Sequence, residues 1–232
     1  LHIGDSAFNA CTSLYNITLP DSLLTIGDAA FKDPSALTSV TFGKSLEVIG
    51  NSAFRGASSL KQVIIGDGVE NVGYNAFRDC TSLEALAYNA KGIGYKAFAN
   101  CTNLTSVYLA DTVLSLGEYA FAGCSELTSI AIPDTTASIG FGALYDCDAI
   151  TDLSLPFAGA YANDSDNGIS YVFGNLMPAS YNMLLIGSSI YSETLNGVSS
   201  VETLIIDKTA QSVDASAFNG ITVGTAYYMG SE

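Results

Sequence analysis

The side chains able to carry out covalent or metal chemistry are few in this chain and far apart. His2 is the single histidine, five cysteines stand at Cys11, Cys80, Cys101, Cys124 and Cys147, and 23 acidic side chains face 8 basic ones. With one histidine, the Ser–His and Cys–His pairings that activate a nucleophile, and the His-rich metal sites, lack their base or ligand. Four sulfurs would suffice for zinc. Spacings of 21 and 23 residues, however, lack the paired C-x-x-C knuckle, and a linear series is not a tetrahedron. Paired carboxylates hydrolyse glycosides, but the acids here fall on repeat edges and loops with no convergent pair. Asp164 and Asp166 sit in the polar run 163–168 with no apolar pocket to raise one pKa. That run resembles a calcium loop in composition, yet lacks the D-x-[DN]-x-[DN]-G spacing and a closing Glu. None of the 22 glycines forms a G-x-G-x-x-G phosphate loop between a strand and a helix. These residues predict no catalytic group, no metal and no cofactor.

The elements that hold these residues repeat. Phenylalanine recurs at Phe8, Phe31, Phe54, Phe77, Phe98 and Phe121, Leu144 takes the next place, and the intervals are 23 residues except for one of 21. Ala precedes each of them and Gly stands four before, from Gly4 to Gly140, giving the consensus I-G-x-x-A-F-x-x-C-x-x-L-x-x-I-x-L. After each Phe, triads such as Leu14, Ile17, Leu19 and Leu60, Val63, Ile65 end in apolar residues two apart, as one face of a strand requires. One such unit cannot bury its apolar side alone, so neighbours stack strand beside strand into a solenoid with a shared core. The recurring Gly requires either a backbone turn at positive φ or close approach to the adjacent coil.

The pattern divides one domain, 1–232, into regular repeats at 1–156, an insertion or long loop at 157–180, resumed repeats at 181–220 and a C-terminal cap at 221–232. A chain that is 48% hydrophobic and 13% charged, with a mean hydropathy of +0.32, is ordered for most of its length. A formal charge of -15 leaves no basic patch for a phosphate backbone or an anionic bilayer, which excludes nucleic acid as a partner. No apolar run approaches the roughly 18 residues that cross a membrane, and membrane insertion is not expected. Leu1 already lies inside a repeat, so the signal peptide and any anchor are expected upstream of it. Sequons occur at Asn16, Asn100, Asn103 and Asn163, two of them beside expected core positions.

The consensus, carried by Ile26-Gly27, Ala30-Phe31 and the run from Cys11 to Pro20, resembles the BspA-type leucine-rich repeat family of bacterial surface proteins. Pro156-Phe157-Ala158-Gly159 and Tyr171-Val172-Phe173-Gly174 are similar to an insertion that recurs in that family. The resemblance implies an α/β-class, strand-dominated leucine-rich-repeat solenoid: a curved right-handed coil of roughly nine repeats with one parallel sheet of short strands on its concave face. It further implies a secreted or cell-surface protein that binds macromolecules, and no catalytic residue.

Stacking turns each repeat position into a column. The residues between the last two apolar strand positions are Thr18, Thr41, Ile64, Ala87, Tyr108, Ala131, Ser154, Leu185 and Ile205; those two earlier run from Asn16 through Asp152 to Met183 and Thr203. They predict a small-residue, nearly uncharged face that grows more apolar toward the C-terminus, which is either a partner site or a surface covered by the insertion or a neighbouring domain. Asp21, Asp67, Asp111 and Asp134 share another column, open to a cation or basic partner and better explained as a solvated edge. The cysteines form a ladder whose rungs are about 5 Å apart, within disulfide reach. Their odd number, and Pro34, Ala57 and Val198 at the same position elsewhere, favour free buried thiols. The expected function is a non-catalytic, adhesin-like module that binds a protein or glycan as a monomer or weak oligomer. Tyr108, Met183, Leu185 and Ile205 contribute from the sheet, and Tyr161 and Tyr171 from the insertion. The alternative is a structural spacer, or an accessory domain of a larger secreted protein or enzyme.

Overall fold

In the computed structural model, which describes residues 1–161, 167–174 and 176–229, the chain winds as a solenoid of parallel strands with almost no helix. Each regular coil lays down two strands. The apolar triads form a broad ladder of Asn16–Thr18, Ser39–Thr41, Gln62–Ile65, Ala85–Tyr88, Ser106–Leu109, Ser129–Ala131, Asp152–Leu155, Ser180–Ile186, Ser200–Ile206 and Thr222–Tyr228. Its hydrogen bonding lapses after Thr41 and after Leu109, where neighbouring strands remain in contact. The sequence pattern predicts this ladder and misses a second one, built from the isoleucine side of each Ile-Gly pair. That narrow ladder consists of the two-residue strands His2–Ile3, Thr25–Ile26, Val48–Ile49, Asn71–Val72, Gly92–Ile93, Ser115–Leu116 and Ser138–Ile139.

The core lies between the two ladders and the turn that carries Ala-Phe. Neighbouring rings from Phe8 to Phe121 have centroids 5.0 to 5.5 Å apart and planes within 12° of parallel. Each buried ring contributes roughly 1.5–3 kcal/mol by leaving water, and stacked pairs add about 0.5–1.5 kcal/mol. Two residues in every regular Ala-Phe turn adopt positive φ. Ser6, Ala29, Ser52, Asn75, Lys96 and Tyr119 do so at 52° to 58° and Gly142 at 62°, and Ala10, Asp33, Gly56, Asp79, Asn100, Gly123 and Asp146 follow four residues later. A left-handed residue with a side chain costs about 1–2 kcal/mol. What offsets it is a ladder bond: Ala29 N–H donates to Asn51 O at 2.8 Å and Asp33 N–H to Arg55 O at 2.7 Å, and the pattern repeats along the coils.

The recurring glycines, in contrast, have no positive φ; close approach explains them. A Cβ on Gly73 would lie 2.6 Å from Asn51 N, one on Gly94 2.5 Å from Val72 O, and one on Gly140 2.3 Å from Glu118 N. Gly4, in the first coil, has nothing within 4 Å of that position. The 21-residue coil is shortened just after Tyr88. This fully buried ring packs edge-on against Phe98 at 5.9 Å, and its hydroxyl donates to Gly92 O, closing the shortened turn.

Residues 157–180 read in the sequence as an interruption; in the structure their described part, 157–161, 167–174 and 176–180, belongs to one long coil. Asp152–Leu155 pairs directly with Ser180–Ile186, 31 residues separating Leu153 from its partner Leu184. Gly142 N–H donates to Tyr171 O and Leu144 N–H to Val172 O, the bonds that join regular coils. Phe157, Ile169, Val172 and Phe173 are buried, so the segment supplies its share of the core. The tail assigned to a cap supplies the tenth broad strand, Thr222–Tyr228, parallel to Ser200–Ile206.

The glycine contacts predict that Gly73→Ala destabilises the chain by about 1–3 kcal/mol or more through backbone overlap, whereas Gly4→Ala changes stability by less than about 0.5 kcal/mol. Urea unfolding of the two variants checks this, and equal midpoints would reject close approach as the constraint.

Candidate functional site

The strand register builds the predicted columns. Ile64, Ala87 and Tyr108 align across three strands, and Ala131, Ser154, Leu185, Ile205 and Tyr227 across five. Asp152, Met183, Thr203 and Thr225 form the row beside them. Tyr108 is 61% exposed and Tyr227 54%, while Met183, Leu185 and Ile205 are half-buried by their neighbours. The outward face of the broad ladder thus holds two apolar groups, Ile64 with Tyr108 and Leu185 with Ile205 and Tyr227, separated by the small residues Ala131 and Ser154. Tyr227 belongs to this row although the sequence reading leaves it in the cap; its spacing of 22 from Ile205 is the signal that places it.

The face also contains a cleft of about 420 Å³ where the ladder parts between Ser39–Thr41 and Gln62–Ile65. Val40 and Phe42, both half-buried, line it with Thr41, Lys61 and Gln62.

The insertion residues do not join this face. Tyr171 packs edge-to-face against Phe141 at 5.5 Å on the Ala-Phe turns. Tyr161 is 61% exposed at the margin of the described residues. Of the run 163–168, Asn163, Asp164, Ser165 and Asp166 lie outside the described residues. Asp21, Asp67, Asp111 and Asp134 are exposed.

Among the described residues no group of three or more His, Cys, Asp or Glu side chains converges. Among the described residues, each carboxyl whose pKa is displaced has it lowered. Glu70 is held down by the hydrogen bond and charge of Lys91, Asp207 by the Thr209 N–H and Asp214 by the Ser216 N–H. At Asp79 partial burial acts in the raising direction. The Asn100 hydrogen bond and the Arg78 and Arg55 charges outweigh it and leave the carboxyl below its usual range. The cysteines are free, four of them buried, and each buried thiol donates to the carbonyl of a ladder phenylalanine at 3.1 to 3.4 Å.

The BspA type leucine rich repeat region matches in six copies over residues 1–91 and 91–165. The chain belongs to this family. A leucine rich cell surface protein from Faecalibacterium prausnitzii has the same fold at a TM-score of 0.59, with 20% identity over 100% of this chain and 83% of its own. A leucine-rich repeat protein from Bacteroides ovatus aligns at a TM-score of 0.52 and 21% identity, covering all of this chain, which spans 57% of that longer protein. Among curated proteins none matches the sequence. No helix among the described residues is long and apolar enough to cross a membrane.

Burial raises the pKa of Cys101 and Cys124, and the adjacent thiols raise it further. A thiol with a raised folded-state pKa stays protonated while its unfolded counterpart ionises from about pH 8.5, so stability is fully present below that pH and falls as pH rises above it. A thiol-reactive disulfide reagent at pH 8 should therefore label Cys11 rapidly and the other four only with global unfolding. Rapid labelling of Cys101 or Cys124 in the native chain would contradict their burial.

Proposed function

We propose that this chain is a non-catalytic, adhesin-like binding module of a secreted or surface-displayed protein, engaging a protein or glycan ligand through the outward face of the broad ladder. The observation that carries the reading is the row from Ala131 to Tyr227: five strands in continuous register present Leu185, Ile205 and Tyr227 side by side, with Met183 in the adjacent row. Exposed apolar and aromatic groups on a rigid, hydrogen-bonded surface are the kind that dominate interface energetics. Tyr108 extends the surface toward the N-terminal strands, and Tyr171 lies apart from it on the Ala-Phe turns.

Three further facts support a binding role over a catalytic one. The displaced carboxyls all lie below their usual range, the opposite of what a general acid needs at neutral pH. The buried thiols lack the electropositive, accessible setting of a nucleophile. A leucine rich cell surface protein has the same fold, and repeat solenoids offer extended surfaces whose function lies in the exposed columns.

The test is a surface-binding screen of the chain against extracellular-matrix proteins, bacterial surface proteins and a glycan array, alongside a Met183→Ser, Leu185→Ser, Ile205→Ser variant verified as folded by circular dichroism. A ligand whose affinity falls by about tenfold or more in the variant is expected, since the three half-buried side chains would lose most of their apolar contact. Unchanged affinity for every ligand found, or turnover of any of them, would remove the assignment.

A further inference from the structure

The Ala-Phe turns carry a second distinctive surface, away from the broad ladder. Tyr74, Tyr95, Tyr119, Phe141 and Tyr171, from five successive coils, touch in sequence with ring centroids 5.5 to 6.3 Å apart and planes 76° to 86° to one another. At about 4.8 Å per coil the row runs for roughly 20 Å. Two features show what its rings can hold. Lys96 Nζ lies 4.9 Å from the centroid of Tyr95 and 5.1 Å from that of Tyr119, so the faces of these rings already accept a cation within the chain itself. On the narrow-ladder side, Tyr74 and Tyr95 line an open hollow of about 700 Å³ with Glu118, Gly94 and Gly117. The Glu118 carboxylate is exposed and forms no ion pair among the described residues.

Charge distribution points the same way. Residues 1–96 hold nine acids and seven bases; residues 97–232 hold fourteen acids and a single base, Lys208. The row thus starts in the nearly balanced segment, at Tyr74 and Tyr95, and runs into the strongly acidic one, whose field gathers cationic partners and repels anionic ones. Edge-to-face packing leaves no coplanar run of rings for a flat sugar chain to stack on, whereas guanidinium and ammonium groups need only one face and one carboxylate at a time.

From this arrangement we propose that the Tyr74–Tyr95–Glu118 hollow and the aromatic row beyond it form a docking site for an extended basic segment of a protein partner, an Arg or Lys side chain lying against the tyrosine rings with its charge on Glu118. The site is distinct from the broad-ladder face and does not depend on it.

The test uses the intact chain and a fluorescein-labelled nonapeptide of alternating Arg and Gly, read by fluorescence anisotropy, with an alternating Glu and Gly peptide and labelled maltohexaose as the other arms. Binding of the Arg peptide is expected, weakening as salt rises. Tyr74→Ser with Tyr95→Ser should reduce affinity by about tenfold, and Glu118→Gln by about fivefold, in keeping with partly desolvated cation–π and ion-pair contacts. Glu126→Gln removes the same charge from an exposed position outside the hollow and should leave affinity within about twofold of wild type, as a rim charge does. Glu118→Gln keeps the shape of the surface and decides the matter should the tyrosine variant fail to fold. No binding of the Arg peptide, equal losses in Glu118→Gln and Glu126→Gln, or maltohexaose bound at the rings in its place would each overturn the proposal.

Discussion

Rings of neighbouring coils lie 5.0 to 5.5 Å apart, nearly parallel, because backbone bonds on either side of them hold the coils at the roughly 4.8 Å of paired strands. At that separation a flat ring fills the space between coils, a Cβ on the recurring glycine overlaps backbone, and a thiol just reaches the carbonyl of a phenylalanine in a neighbouring coil. The Phe, Gly and Cys positions thus answer to a single distance. Leu144 shows that the ring itself is replaceable by another large apolar group at the end of the row, where the next coil departs from the regular pattern.

Because spacing is uniform, whatever side chain occupies an outward position is presented to its equivalents in the adjoining coils at strand distance. Function is therefore written in rows. One row, on the broad ladder, changes from threonine at the N-terminal end to Leu185, Ile205 and Tyr227 at the other. Another, along the turns, begins as a polar ladder in which Asp5, Asp28 and Asn51 each cap the N–H of the following coil, and becomes aromatic at Tyr74. Both rows change character along the chain, the turn row at Tyr74 and the broad-ladder row within residues 97–232, where acids outnumber bases fourteen to one.

The broad ladder, its register and its exposed columns were legible because they repeat with a constant period over residues large enough to recognise. The narrow ladder was not, since a two-residue strand such as Thr25–Ile26 presents one apolar side chain and no alternation. Left-handed Lys96 and Tyr119 carry no glycine signal, and the inter-coil bonds that hold them there join residues more than 20 apart. The 157–180 segment concealed its coil because Tyr171 and Val172 make the standard ladder bonds from a short helix, Ile169–Val172. The aromatic row escaped for a related reason: Tyr95 and Tyr119 occupy adjacent, not equivalent, repeat positions and meet only once the coils are stacked. Tyr171, expected to contribute from the insertion, is drawn by the ladder bonds to the turns, away from the sheet residues.

The dependence of the whole on the ring stack can be measured at its centre. Phe77 is fully buried between Phe54 and Phe98, and urea unfolding of Phe77→Ala beside Phe77→Leu separates ring stacking from simple filling of space. The account predicts a loss of about 3–5 kcal/mol for alanine, and about 1–3 kcal/mol for leucine, which fills the space but gives up the stacked pairs with Phe54 and Phe98. An alanine variant within about 1 kcal/mol of the wild type would contradict it, and would mean that the strand ladders hold the coils in register without the phenylalanines.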